Sequence, residues 1–193
     1  MLSGERATLF SINLCALFVL ILSEESLGTV TSGGCTLSSP AFRNDSEIPP
    51  QYTCDGINRS PPLSWNCDSV NHTISSFVLI LDDPDAPSGD WVHWVVCNIP
   101  NNKLTLLEGE KYNKMLEGVN DFGSMGYGGP CPPQGGTHHY HFKLYALNGA
   151  LKISDTTTKD AILSAMDGHV VGEASMIGLY QRSEKLLRKR RLS

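Results

Sequence analysis

The alternation of apolar and polar positions is cleanest between His138 and Leu147. Read as a strand, this stretch puts His138, Tyr140, Phe142, Leu144 and Ala146 on one face, and His139, His141, Lys143, Tyr145 and Leu147 on the other. The first face is apolar except at its start, so His138 and Tyr140 are expected where a core opens into a pocket. Phe77-Val78-Leu79-Ile80-Leu81 is a continuous apolar run that stops at Asp82-Asp83-Pro84, the pattern of a strand covered on both faces. Trp91 to Ile99 predicts a third strand, closed by Pro100-Asn101-Asn102, with Trp91, His93 and Val95 sharing a face. Helical spacing is clear once: Thr157 and Asp160 suit a capping-box-like start, Ala161, Ile162, Ala165 and Met166 share a face, and Gly168 is a stop. A last strand is expected over Ala174 to Tyr180. Residues 29–75 read as short strands and turns, and 103–136 as a largely irregular, glycine-rich stretch of a kind that usually carries function. Many strands with one or two late helices predict a mainly β protein, an antiparallel β-sandwich with small peripheral helices.

The ends differ from this pattern. Arg6 precedes the apolar run Leu14 to Leu22, and small residues follow through Gly28. That order predicts a secretory signal peptide over residues 1–28, cleaved near Gly28, with an uncleaved anchor as the alternative. Residues 29–182 form the expected domain, with no transmembrane anchor left after processing. Residues 183–193 are a basic tail containing Arg188-Lys189-Arg190-Arg191. With a formal net charge of −5 and no other basic stripe, the 193-residue chain is not expected to bind nucleic acid.

Six cysteines are present, and Cys15 lies in the signal segment. The remaining Cys35, Cys54, Cys67, Cys97 and Cys131 suit disulfides in a secreted protein, with at least one thiol left over. They match no C-x-x-C zinc spacing. Asn44, Asn58 and Asn71 each open an N-x-Ser/Thr sequon and are candidate glycosylation sites in a eukaryotic host.

Two segments carry the candidate chemistry. In Asp83-Pro84-Asp85-Ala86-Pro87 the prolines stiffen a carboxylate loop, and His93 follows in the next strand. In Gly129-Pro130-Cys131-Pro132-Pro133 a rigid turn keeps the amides of Gly129 and Cys131 free to aim at one anion. With His93, His138 and Tyr140 these suggest a small anion pocket. Its carboxylates would orient a histidine, share a proton with a phosphate oxygen, or accept from an ammonium. A metal site is disfavoured because His138, His139 and His141 do not face one way. A Cys131–His138 thiol–imidazole pair is the enzymatic alternative.

The segments Tyr52 to Gly56, Ser60 to Trp65, Asp83 to Pro87, Trp94 to Pro100, Gly118 to Gly123, Gly126 to Tyr140, Phe142 to Leu147 and Gly168 to Val170 resemble, in the same order, the phosphatidylethanolamine-binding protein (Raf kinase inhibitor-like) family, in its shorter bacterial and archaeal branch. The resemblance spans residues 35–182. It implies a sandwich of antiparallel sheets and non-catalytic binding of small phosphate-bearing anions such as phosphoethanolamine-like head groups, with no cofactor. Asp83, Asp85, His93, His138 and Tyr140 are then the pocket side chains, with Asp83 and Asp85 orienting His93. Ala86 and Pro87 form one wall, the Gly129 to Cys131 backbone the other, and a cis peptide is implied near these prolines. The signal segment, the basic tail and Cys35, Cys67 and Cys97 depart from the family pattern. A secreted chain would not meet a cytosolic kinase, so kinase regulation does not carry over. Inhibition of proteases or other enzymes, and hydrolysis in the same pocket, are the alternatives.

Overall fold

The computed structural model describes residues 30–111, 117–152, 154 and 157–182. The expected signal peptide and basic tail lie outside them. Nine strands are formed: β1 (Val30–Ser32), β2 (Cys35–Ser38), β3 (Ser46–Glu47), β4 (Leu63–Asn66), β5 (Ser76–Asp83), β6 (Trp91–Pro100), β7 (Thr105–Leu106), β8 (His138–Leu147) and β9 (Val170–Tyr180). One helix, α1 (Lys159–Met166), and a 3-10 turn at Pro50–Tyr52 complete the set among the described residues. The hydrogen-bonded order is β6-β5-β8-β9-β1-β2-β4-β7, antiparallel throughout, and the short β3 pairs in parallel with β9.

This path folds over on itself. β4 and β5 lie far apart along it, yet the rings of Trp65 and Phe77 are 5.6 Å apart, and Phe42 meets Phe142 at 5.7 Å. The main core between the two layers takes Leu37 of β2, Trp65 of β4, Phe77, Leu79 and Leu81 of β5, and Phe142 and Leu144 of β8. The expected β-sandwich is therefore present.

β5 is the strand covered on both faces: all eight of its residues are buried. Phe77, Leu79 and Leu81 face the main core, while Val78 and Ile80 face a second cluster with Val95, Leu151, Ile162 and Met166. α1 supplies Ile162 and Met166 to that outer cluster, whereas Ala161 and Ala165 stay exposed. Its N-cap is Thr158, one residue later than predicted, and the Thr158 side chain accepts from the Ala161 amide. Thr157 instead turns its hydroxyl back to the Ser154 carbonyl. β9 begins four residues earlier than expected, because Gly172 and Glu173 pair with Ala146 and Tyr145 of β8.

Two disulfides, Cys35–Cys67 and Cys54–Cys131, tie β2 to the end of β4 and the residue-54 turn to the residue-131 turn. Cys97 is the free, fully buried thiol among the described residues. No described peptide bond is cis, so the implied cis peptide is absent from the Gly129–Pro133 loop. No helix among the described residues is long and apolar enough to cross a membrane.

Candidate functional site

The strands end in a small cavity of about 200 Å³, lined by Asp83, Ala86, Pro87, Ser88, Trp91, His93, Phe122, Cys131, Pro132, Pro133, His138 and Tyr140. Its size suits a ligand much smaller than a drug-sized molecule. β8 delivers His138 and Tyr140 by the alternation read from the sequence: both are buried, and His139 between them is exposed. Asp83 arrives at the end of β5, on the face that carries Leu81 and Leu79.

His93 comes by a route that alternation does not give. Leu81 pairs with Trp94 and Asp82 with Val92, so His93 has no partner on β5 and forms a β-bulge. The bulge lets His93 and Trp94 turn toward the main layer in succession. Val95 then faces the outer cluster, contrary to the face predicted for it. Bulges commonly re-aim a side chain beside a functional site in this way.

The partners of the histidines correct the sequence expectation. Asp83 does not orient His93; its Oδ2 lies 2.8 Å from His138 Nδ1. Asp85 holds neither pocket histidine and does not line the cavity. Its Oδ2 accepts from the His139 amide and pairs with His139 Nδ1 at the exposed rim. Those bonds from the His139 side chain and backbone hold the Asp85 carboxyl below the usual carboxylate range. His93 is oriented by backbone: its Nδ1 lies 2.6 Å from the Gly128 carbonyl, and the Gly128 amide donates to the His93 carbonyl at 2.9 Å. A carbonyl only accepts, so Nδ1 carries the proton. Burial pulls the His93 pKa down, against the opposing pull of the Gly128 bond and of Asp83, Asp121 and Asp82. His93 is thus a neutral imidazole with its Nε2 lone pair free.

Tyr140 is fully buried, and its hydroxyl has no hydrogen-bond partner. Burial first, and then the nearby Asp83 charge, raise its pKa, so it stays protonated and can donate. Asp83 also acts on the hydroxyl as a weak acceptor, but the pair does not reach hydrogen-bond geometry. The His93 ring meets Tyr140 edge-on at 5.2 Å and Phe122 at 5.3 Å, and Trp91 meets Phe122 at 5.5 Å.

The Gly129 wall also differs from expectation. The Gly129 amide is spent on Asn58 Oδ1, 2.8 Å away, and Gly129 does not line the cavity. Cys131 does line it, but its sulfur is bonded to Cys54, which removes the thiol nucleophile. Gly128, Phe122, Trp91 and Ser88 were not singled out from the sequence. A Cβ on Gly128 would sit 2.5 Å from the Phe122 ring, so these two positions fit together only with glycine there. A glycine pair before proline signals a close approach in the sequence, and both make one, since a Cβ on Gly129 would lie 2.4 Å from the Tyr52 carbonyl oxygen.

Among the three sequons, Asn71 and its neighbours are exposed. The Asn44 side chain is engaged, accepting from the Ile177 amide and donating to Asp45, and Asn58 is exposed while holding Gly129. No three His, Cys, Asp or Glu side chains among the described residues gather to hold a metal ion.

The family model described as phosphatidylethanolamine-binding protein matches residues 38–181. A UPF0098 protein of Methanothermobacter thermautotrophicus is 49% identical over 151 residues, 76% of this chain and 98% of its own length. One from Pyrococcus abyssi is 40% identical, over 85% of this chain and 96% of its own. Among solved structures, a phosphatidylethanolamine-binding protein homologue from Chlamydia trachomatis superposes with a TM-score of 0.72 at 38% identity, covering 79% of this chain and all of its own. YbcL of E. coli, described as a member of the mammalian family, gives 0.71 at 27% identity, covering 78% and 99%. With a sandwich ending in a histidine-lined pocket, and a family match across nearly the whole described domain, the chain belongs to the phosphatidylethanolamine-binding protein family.

Proposed function

We propose that this protein is a secreted, non-catalytic binder of small phosphate-bearing anions, phosphoethanolamine-like head groups among them. The observation that carries this reading is the convergence on one cavity of two oriented imidazoles and a buried tyrosine hydroxyl without a partner. A buried, unpaired hydroxyl costs about 1–3 kcal/mol, and a ligand oxygen that accepts from it recovers that cost. The two disulfides support the secreted part, because such bonds persist in oxidising compartments. The thiol route to hydrolysis is closed at Cys131, whose sulfur is held as a disulfide.

The test is an NMR titration with phosphoethanolamine. Resonances of His93 and His138 should move, and His138→Ala should weaken the affinity by about tenfold, the worth of one charge-assisted hydrogen bond. Spectra unchanged at millimolar ligand would remove the proposal.

A further inference from the structure

The hydrogen-bond directions inside the pocket name a ligand class, and this inference rests on the anion-binding reading above. His93 gives its Nδ1 proton to the Gly128 carbonyl, so the nitrogen left for the cavity is an acceptor. His138 stands between Asp83 and the cavity in the same way: Nδ1 is engaged at 2.8 Å, and Nε2 donates only when the ring is protonated. An anion with oxygen lone pairs alone would therefore meet two lone pairs and a neighbouring carboxylate. The carboxylates around His93 all push toward a protonated ring. His93 faces Asp82 and Asp83 from β5, Asp121 from the loop after residue 120, and Tyr140 from β8. His138 faces Asp83, Tyr140 on its own strand, and Asp85 beside His139. Of these, Asp82 is already paired with Lys143 and Lys159, and no lysine or arginine among the described residues lines the cavity to offset the others.

We propose that the pocket takes up a terminal phosphomonoester together with one proton, and discriminates against phosphodiesters. A phosphomonoester has a second pKa of about 6, so near neutrality it can carry one P–O–H. That hydroxyl donates to His93 Nε2. The remaining oxygens accept from the Tyr140 hydroxyl and, when the ring is protonated, from His138 Nε2, whose charge Asp83 balances. A diester has no such proton and leaves His93 Nε2 opposite an oxygen lone pair. Free phosphate esters and lipid-borne phosphatidic acid share the terminal monoester. Intact phosphatidylethanolamine does not.

Calorimetry of the full chain tests this with phosphoethanolamine, glycerophosphoethanolamine as the matching diester, and sulfate, from about pH 5 to about pH 8. Two buffers of different ionisation heat report the proton count. The expected result is uptake of about one proton from buffer above the ligand's second pKa, with affinity falling about tenfold per pH unit there. At about pH 6 the diester and sulfate should bind at least about tenfold more weakly than the monoester. Equal affinity for monoester and diester, or binding without proton uptake at about pH 8, overturns the inference while leaving anion binding intact. Failure of all three ligands overturns the anion-binding reading itself. Vesicles separate the sources: capture by phosphatidic acid but not by phosphatidylethanolamine supports a lipid-borne monoester, and the reverse overturns the proposal. The nitrogen resonances of His93 give a reading free of any variant. A proton on Nδ1 and a bare Nε2 at neutral pH support the assignment, and the opposite tautomer defeats it.

Discussion

Tyr140 separates stability from binding at a single residue. Its ring belongs to the main core, while its hydroxyl is buried at the cavity wall without a partner. Replacing an unsatisfied buried donor by hydrogen is nearly neutral or stabilising, because no bond is lost and a desolvation cost is removed. Tyr140→Phe should leave the urea midpoint unchanged or raise stability by up to about 1 kcal/mol, and weaken phosphoethanolamine binding by about threefold to tenfold. A variant that binds as tightly as the natural protein would show that the hydroxyl does not reach the ligand. How far single residues were legible varies for physical reasons. His138 and Tyr140 were readable because β8 runs in an unbroken ladder past the site, and side-chain period 2 then decides which residues face inward. Asp83 was placed in the pocket but assigned to the wrong histidine, because a partner across strands depends on register. Asp85 was displaced to the rim because the His139 backbone and ring both bind it there.

At the scale of elements, the loop between β5 and β6 carries Ala86, Pro87 and Ser88 into the cavity wall, and its two ends are clasped from α1. The Lys159 ammonium bonds Asp82 Oδ2 at 2.6 Å and also meets Asp90 Oδ2, while Lys143 reaches Asp82 Oδ2 at 2.8 Å from β8. Asp82 is completely buried, so its charge depends on these two lysines. Burial alone would lower the Lys159 pKa, but its bonds and charge pairing with Asp82 and Asp90 outweigh burial and raise it. A folded-state pKa above the unfolded one gives stability that is fully present below the unfolded value of about 10.4. That stability is lost as pH rises through the folded value. Lys159→Met should therefore cost about 2 kcal/mol near neutral pH, less than for an isolated pair because Lys143 still neutralises Asp82. The gap from the natural protein should close only at strongly alkaline pH, as urea unfolding across pH would measure. An equal cost at every pH would trace the loss to packing of the lysine stem instead. This clasp and the His93 bulge were invisible in the sequence for one reason. Both arise where an element meets a neighbour distant along the chain, and neither leaves a mark in local periodicity.

The whole molecule joins a family domain to three cysteines outside the family pattern and to an apolar N-terminal run that we propose is a cleaved leader. The five cysteines after residue 28 admit many pairings, and only the folded chain selects Cys35–Cys67 and Cys54–Cys131. These bonds span separations of 32 and 77 residues, and by chain entropy each is worth about 4 kcal/mol against the unfolded state. Cys97 lies in the outer cluster, where burial pushes its thiol up to about 12 and keeps it unreactive. Thiol counting thus reports on secretion and disulfides together. Six cysteines less four in disulfides leave Cys15 and Cys97. Native exported protein should show no reactive thiol. Denatured without reductant, it should show one, because cleavage near Gly28 removes Cys15, and its N-terminal sequence should begin close to that residue. Two thiols with a start at Met1 would mean that the leader is retained. Five or six would mean that the disulfides do not form, which removes the support they give to secretion.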